Sequence, residues 1–182
     1  MRYSNGVLVV VGTLLGWACG ATEHSDPKDE QEIRRLLDAI SKAYEQRDPI
    51  GAMSPFVKDD SLVLFDLPPP LSVLGYAGTL ITTKKMIDAT VGPVLVEFTN
   101  IHIVVDHNHA YGYYFAHLAA TMQDGTHFDM ASRQTDIFQR INGKWLIVHE
   151  HNSLPVDMGT AKAMMHAPAS GAFAIPFGSE KQ

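Results

Sequence analysis

The sequence predicts an α+β domain in which one long amphipathic helix packs against an antiparallel sheet. Apolar residues recur at helical spacing near the start of the chain, between Asp26 and Asp48. After Pro93, four segments are rich in β-branched and aromatic residues and are separated by turn signals. Helices first and strands second is the order expected of an α+β fold rather than of alternating α/β units. We therefore expect a curved sheet wrapped on the first helix.

The length and composition suit a single domain and disfavour a nucleic-acid-binding protein. A chain of 182 residues allows one domain with extensions, and 46% hydrophobic residues can form a core. The net charge of −6 disfavours a nucleic-acid partner. The single cysteine excludes an internal disulfide.

The first 21 residues are predicted to be a signal peptide. Arg2 precedes the apolar run "VLVVVGTLLGWA", which is short for a membrane span and is followed by small residues. Cleavage after Ala21 would release the protein, whereas "LLGWACG" resembles a lipoprotein signal in which Cys19 carries the lipid. Both alternatives predict a periplasmic or secreted protein without a transmembrane segment in the mature chain, although a lipid anchor is allowed.

The first helix is the best-supported element. Asp26 is a suitable N-cap, Pro27 a suitable first helical residue, and acidic residues follow in the first turn. Its apolar face consists of Ile33, Leu36, Leu37, Ile40 and Tyr44. A short second helix is expected after Pro49, with Met53 and Phe56 turned inward.

The middle of the chain is expected to be less regular. "SLVLFD" predicts the first strand, and the three prolines of "LPPPLSVLGYAG" predict irregular structure. Thr82 or Thr83 is expected to cap a short helix that runs through Met86 and Ile87. We assign the domain to residues 26–157 and a C-terminal tail to residues 158–182, with a short helix near "TAKAMMH".

Four strands are predicted in the second half of the chain. They are "VLVEFTNIHIVVD", "HAYGYYFAHLAATM", "HFDMASRQTDIFQRI" and "KWLIVHEHNS". The joints between them carry turn residues, including Asp124-Gly125 and Asn142-Gly143.

The turn at Asn142-Gly143 decides which residues of the last two strands share a face. A two-residue turn pairs Ile141 with Lys144 and places Asp136 opposite His149 and Gln134 opposite His151. A three-residue turn with a glycine bulge pairs Arg140 with Lys144 instead. One residue of slip exchanges every neighbour.

In the bulged register, one face carries Arg133, Thr135, His149, His151 and Ser153. The other face carries Gln134, Asp136, Glu150 and Asn152, beside the apolar residues Phe138, Leu146 and Val148. Polar groups above an apolar floor are typical of a small-molecule cavity. The alternative is that these polar residues form the solvated rim of the sheet.

Three motifs near the end of the chain resemble those of the SnoaL-like branch of the NTF2-like superfamily. They are the R-x-T of Arg133 and Thr135, the G-x-W of Gly143 and Trp145, and the H-x-H-x-S-x-P of His149 to Pro155, which includes His151 and Ser153. The chain is also similar to the association (hub) domain of calcium/calmodulin-dependent protein kinase II. The resemblance covers roughly Asp26 to Asp157. It implies an NTF2-like cone with a pocket between helix and sheet, often dimeric, so a homodimer is expected.

The resemblance implies a range of activities rather than one, because the superfamily includes ketosteroid isomerases, polyketide cyclases, epoxide hydrolases, dehydratases and non-enzymatic modules. Arginines line the pocket of the hub domain, and the matching positions here are Ala116, Asp136 and Asn152. The match disfavours a cationic pocket for a carboxylate ligand, and it favours the bulged register.

Acid–base chemistry without a cofactor is the leading hypothesis. Asp136 and Glu150 are the candidate catalytic bases for proton transfer beside a carbonyl group. Tyr44 and Tyr114 are candidate oxyanion donors, and Asp66 is expected at the mouth of the pocket. Gln134 and Asn152 are expected to line it. The alternative is that Asp136 pairs with a neighbouring Arg or His and that the tyrosines are core residues.

A metal site is a weaker hypothesis. His149 and His151 would lie about 7 Å apart on one face of a strand, and His107 and His109 repeat the spacing, but no third ligand is fixed by the pattern. The alternative is that His149 and His151 hydrogen-bond across the hairpin to Thr135 and Arg133. Ser153 lacks the partners of a nucleophilic triad.

The sequence therefore predicts an exported domain that binds a small, partly apolar molecule. If the domain is an enzyme, the expected chemistry is proton transfer without a cofactor, as in an isomerase, cyclase or dehydratase. The alternatives are a non-catalytic ligand-binding or dimerisation module of the cell envelope, and a His-based metal-binding protein.

Overall fold

The computed structural model describes residues 27–167 and confirms the expected α+β class, with helices packed on a curved sheet. The signal peptide, Cys19, the N-cap Asp26 and residues 168–182 lie outside the described residues. The helices are α1 (Pro27–Glu45), α2 (Pro49–Ala52) and α3 (Tyr76–Asp88). The strands are β1 (Val63–Phe65), β2 (Val73–Leu74), β3 (Thr90–Asp106), β4 (His109–Met122), β5 (His127–Ile141), β6 (Lys144–Ser153), β7 (Val156–Asp157) and β8 (Lys162–Ala163).

The main sheet has six strands in the order β2-β1-β6-β5-β4-β3. Strands β3 to β6 form the expected antiparallel meander. The sheet is not wholly antiparallel, however, because β1 runs parallel to β6, with Val63 beside His149 and Phe65 beside His151. Strand β1 therefore adds a parallel edge that local sequence patterns do not predict.

Helix α3 begins six residues before the threonines that were expected to cap it. Gly75, with φ of +76°, supplies the backbone conformation for the helix entry, and Tyr76 is the first helical residue. The hydroxyl of Thr82 donates to the Gly78 carbonyl at 3.1 Å within the helix. The expectation that all of "LPPPLSVLGYAG" is irregular was also wrong, because β2 and the start of α3 fall inside it.

The segment near "TAKAMMH" contains β8 rather than a helix. Strand β8 pairs with β7, and the Met164 amide donates to the Pro155 carbonyl at 2.8 Å. The Ala131 amide of β5 then donates to the Met165 carbonyl at 2.9 Å. Pairing with distant backbone groups therefore replaces the local helical bonds that the composition favours.

Helix α1 buries the predicted apolar face against the sheet. Ile33, Leu37 and Ile40 are buried in one cluster with Phe138 and Trp145. At the start of α1, Asp29 forms an ion pair with Arg140 and accepts a hydrogen bond from Trp145 Nε1 at 3.3 Å. The Arg140 guanidinium also lies over the Trp145 ring, 4.7 Å from its centre. These contacts fix the first turn of the helix on β5 and β6.

The expected three-residue turn between β5 and β6 was wrong. Ile141 pairs with Lys144, and Asn142 and Gly143 both have positive φ (50° and 76°), which is a two-residue hairpin turn. Asp136 nevertheless does not face His149. The register shifts by one residue between Phe138, which pairs with Ile147, and Ile137, which pairs with His149.

Val148 is the extra residue of this β-bulge, and it reverses the alternation of β6. Before the bulge, Trp145 and Ile147 are the residues buried in the core; Leu146 and Val148, which were expected there, are only half-buried. After the bulge, Glu150 pairs with Asp136 and Asn152 pairs with Gln134. The four polar residues therefore share the inner face, although not through the turn that was expected.

No helix between residues 27 and 167 has the length and apolar character needed to cross a bilayer.

Candidate ligand cavity

A cavity of about 520 Å³ lies between the helices and the inner face of the sheet. Helix α1 contributes Ile40 and Tyr44, and α3 contributes residues from Thr79 to Met86. Most of the lining is apolar, and it includes the aromatic residues Phe56, Phe98 and Phe128 and the methionines Met53, Met86, Met122, Met130 and Met165. Methionine side chains are flexible and polarisable, so such walls can adapt to ligands of different shape.

Residues 154–167, here called the return segment, line the cavity from the C-terminal side of the chain. Strand β6 ends at Ser153, so the far half of β5 has no β6 partner, and the return segment bonds to it through Ala131 and Met165. Leu154 and Met165 line the cavity. Sequence reasoning missed this part of the wall; the apolar pair Met164-Met165 is the only local signal for it.

Five of the predicted site residues meet at one end of the cavity, here called the polar end. They are Tyr44, Asp66, Gln134, Glu150 and Asn152. Asn152 Nδ2 donates a hydrogen bond to Glu150 Oε1 at 2.8 Å. Asp66 Oδ1 accepts a hydrogen bond from the Leu67 amide at 2.7 Å, which holds its carboxyl group at the loop that follows β1. Ala116, one of the positions matched to the hub arginines, also lines the cavity.

Asp136 and Tyr114 lie behind the cavity wall rather than on it. Asp136 is fully buried and is not among the lining residues. The Tyr114 hydroxyl donates a short hydrogen bond to Asp136 Oδ2, and Gln134 Nε2 donates to Asp136 Oδ1 at 3.1 Å. Gly112 faces Asp136 across β4 and β5, and a Cβ there would lie 3.3 Å from the rings of Phe138 and Tyr114. A glycine at this position therefore leaves room for the tyrosine ring.

The two candidate acids are direct neighbours, since Asp136 and Glu150 are opposite each other in the sheet. Burial raises the pKa of Asp136 to about 7, although the hydrogen bonds from Tyr114 and Gln134 lower it in part. Burial, and then the charges of Asp136 and Asp66, raise the pKa of Glu150 well above its ordinary value. No Lys, Arg or His within residues 27–167 lines the cavity to offset these charges. The pair therefore holds a proton near neutral pH.

The other titratable groups of the site are displaced in the same direction. Burial raises the pKa of the Asp66 carboxyl. Burial, with the neighbouring charge of Glu150, raises the pKa of Tyr44, and burial with the charge of Asp136 raises that of Tyr114. Both phenols are therefore hydrogen-bond donors throughout the physiological range.

The motif histidines lie on the opposite face of the sheet. His149 Nδ1 donates to the Val63 carbonyl at 2.9 Å, and both His149 and His151 pack edge-on against the Phe65 ring. The expected hydrogen bonds to Thr135 and Arg133 were wrong, because the bulge pairs His149 with Ile137.

The remaining motif residues have structural contacts. Trp145 is buried in the core, Arg133 Nη2 donates to the Leu154 carbonyl at 3.3 Å, and Ser153 pairs with Arg133. In the part of the chain that the structure describes, no three His, Cys, Asp or Glu side chains converge as metal ligands.

The chain belongs to the SnoaL-like domain family, whose model matches residues 33–157. A search of curated proteins finds no significant match.

Solved structures place the fold in the NTF2-like superfamily. An NTF2-like protein of unknown function from Pseudomonas putida KT2440 is 26% identical, with a TM-score of 0.68 over 78% of this chain and 96% of that one. An NTF2-like superfamily protein from Salmonella enterica serovar Typhimurium LT2 is 20% identical, with a TM-score of 0.65 over 75% of this chain and 98% of that one. A Streptomyces avermitilis protein of the same family, named as a proposed dehydratase, is 15% identical, with a TM-score of 0.60 over 69% of this chain and 95% of that one.

The raised acid pKa values predict that the protein loses stability as pH rises from about 4 to about 7. In this window the folded Asp136, with a pKa of about 7, keeps a proton that the unfolded carboxyl, near 3.8, releases. The free energy of unfolding should therefore fall by a few kcal/mol, on the order of 1.4 kcal/mol per pKa unit. Urea unfolding at successive pH values measures the slope.

Asp136→Asn should flatten this slope, because the amide oxygen still accepts from Tyr114 but no carboxyl titrates. Asp124→Asn is the control. The hydrogen bonds from Thr126 lower the pKa of Asp124, so that carboxylate is already ionised across the window. An equal slope in Asp136→Asn and the parent chain would contradict the assignment.

Proposed function

We propose that the chain binds a small, partly apolar molecule in the cavity and that Glu150 exchanges a proton with it, as in cofactor-free isomerases, cyclases and dehydratases. The observation that carries the proposal is the pairing of Glu150 with Asp136 at the polar end of an apolar cavity of about 520 Å³. That volume suits a small organic ligand. A carboxyl group whose pKa lies near the working pH is suited to moving a proton.

The two acids have different roles in this proposal. Glu150 lines the cavity and is the candidate catalytic residue, because a bound molecule can touch it. Asp136 is separated from the cavity by Gln134 and is a positioning residue, since its charge raises the pKa of Glu150. Tyr44, which also lines the cavity, is the candidate donor to an oxygen of the ligand.

The second candidate function is a binding module without turnover. One observation favours it: among the described residues, the acid that pairs with Glu150 in the sheet does not line the cavity. This acid, Asp136, is fully buried, and its oxygens accept hydrogen bonds from Tyr114 and Gln134. Catalysis that needs separate acid and base groups in contact with the ligand would then depend on Asp66 or Tyr44.

Binding and turnover can be tested on the full chain with two probes. Nile red, a neutral apolar dye, should bind with increased fluorescence, and Ala116→Phe should weaken the signal because the new ring occupies part of the cavity. Apolar ketones incubated with the protein in deuterated buffer should exchange their α-protons, as followed by NMR. Glu150→Gln should slow this exchange by about 100-fold or more.

Asp136→Asn is the informative comparison for turnover. Removal of its charge should shift the pH midpoint of exchange to lower values, because the pKa of Glu150 falls. Ala120→Phe provides a second blocked variant in case Ala116→Phe does not fold. Dye binding without exchange on any ketone would favour the non-catalytic module, and full exchange in Glu150→Gln would exclude Glu150 as the base.

We further propose that a second copy of the chain covers the outer face of the sheet. Four large apolar side chains, Phe65, Tyr111, Tyr113 and Ile137, are between 41% and 48% exposed on neighbouring strands of that face. His102 stacks on Tyr113 with ring centres 5.1 Å apart. Exposed apolar patches of this kind commonly mark association surfaces, and a self-association face must be compatible with itself.

Ile137→Glu should convert the dimer to a monomer, because the introduced carboxylate of each copy would be buried against the apolar outer face of the other copy. Analytical ultracentrifugation of the full chain at micromolar concentration measures the change. Ile81→Glu, at a 56% exposed site on α3, is the matched control and should remain dimeric. A monomeric parent protein, or an Ile137→Glu dimer of unchanged affinity, would contradict this proposal.

Export is proposed from the apolar run and small residues before Ala21. The intact mass of the protein recovered from the cell envelope should correspond either to a start at Thr22, after cleavage that follows Ala21, or to a start at a lipidated Cys19. A mass that retains Met1 would contradict export by a cleaved signal.

A further inference from the structure

The hydrogen bonds at the polar end leave acceptors, rather than donors, for the ligand. Gln134 and Asn152 are the two amides there, and each directs its NH₂ group to a carboxyl: Gln134 Nε2 to Asp136 at 3.1 Å and Asn152 Nδ2 to Glu150 at 2.8 Å. An ionised carboxyl group only accepts hydrogen bonds, so the amides keep this orientation once Glu150 has released its proton. The amide oxygens are the groups that remain.

Gln134 is the clearest case of an unused acceptor. Its side chain is 94% buried, lines the cavity, and has no hydrogen bond to its Oε1 within residues 27–167. Glu150 and Asp66 each use one carboxyl oxygen, for Asn152 and the Leu67 amide respectively, and keep the other. A bound molecule that displaces water from these oxygens has to replace the lost hydrogen bonds, so it is expected to supply donors.

The carboxyl groups at the cavity favour a ligand with positive charge. Asp66 and Glu150 line the cavity with Asp136 behind them, and no cationic side chain of the described chain lines it. The aromatic residues Tyr44 and Phe98 are also in the lining. Carboxylates and aromatic rings around an apolar space are the groups that bind an organic ammonium ion.

We propose that the cavity selects an amine: a molecule with a protonated nitrogen, held by Glu150, Asp66 and the Gln134 carbonyl oxygen, on an apolar body that fills the methionine-rich remainder. This proposal rests on the function proposed above and narrows it, so that a substrate carries an amine in addition to the group that reacts. On binding, Glu150 gives its proton to solvent and pairs with the ammonium, so that binding adds no net charge to the cavity.

Displacement of Nile red from the full chain by matched ligands tests this selection. Phenylbutylamine, phenylbutanol and phenylbutanoate have one apolar body and differ in the head group. The amine should displace the dye at concentrations about tenfold or more below those of the alcohol, because charge-assisted hydrogen bonds replace neutral ones. The carboxylate should not displace it. The trimethylammonium analogue, which has charge but no N–H donor, should bind more weakly than the amine.

Variants and a measurement of proton release show which carboxyl groups produce the preference for the amine. Glu150→Gln and Asp66→Asn should remove most of the preference for the amine over the alcohol, whereas Asp124→Asn, a surface control, should leave that preference unchanged. Calorimetry in two buffers of different ionisation enthalpy should register release of about one proton as the amine binds below the pKa of Glu150.

Two failures would be distinguishable. If Nile red and the alcohol bind but the amine has no advantage, the amine proposal is overturned and the ligand cavity stands. If neither the dye nor any matched ligand binds, the function proposed for the cavity is overturned with it.

Discussion

The site depends on one extra residue in β6. Regular alternation from Trp145 and Ile147 would continue through His149 and His151 on the inner face, and would turn Glu150 and Asn152 to the outside. The β-bulge at Val148 reverses this alternation, so that the strand anchors the core with its first half and supplies the polar end of the cavity with its second. Without the bulge, imidazoles would face the cavity and Glu150 would not meet Asp136 on the inner face.

Contacts along one edge of β6, before and after the bulge, hold it in place. Just before it, the Ile147 amide donates to the Pro55 carbonyl at 2.8 Å and the Val57 amide donates to the Ile147 carbonyl at 2.9 Å. Just after it, His149 Nδ1 donates to the Val63 carbonyl, and β1 pairs with the strand in parallel. The motif histidine is therefore a support for the bent strand rather than a ligand-binding group, which explains how a residue on the outer face acts on the geometry of the inner one.

The parts of the structure that could be predicted from sequence are those that local periodicity determines. Helix α1 and the four long strands follow from apolar spacing and turn residues. The shared face of Asp136 and Glu150 was also predicted, although from a three-residue turn. That turn and the observed β-bulge each add one residue between the two paired strands, so both place Asp136 and Glu150 on the same face. The position of that residue could not be predicted, nor could the parallel pairing of β1, since both depend on backbone contacts between distant segments. The same holds for the return segment that brings Met165 to the cavity, and for the burial of Asp136 behind Gln134.

The choice of amides as partners for the acids determines what the cavity can do. An arginine or lysine beside Asp136 and Glu150 would stabilise their ionised forms and hold their pKa values low, which would leave them unable to carry a proton at neutral pH. Gln134 and Asn152 instead donate hydrogen bonds without positive charge, so burial dominates and the pKa of Asp136 rises to about 7. The same neutrality leaves the charge of the carboxyl pair uncompensated by the protein. A site built in this way either keeps its proton or exchanges it for a cation, and proton transfer and amine recognition are thus two consequences of one arrangement.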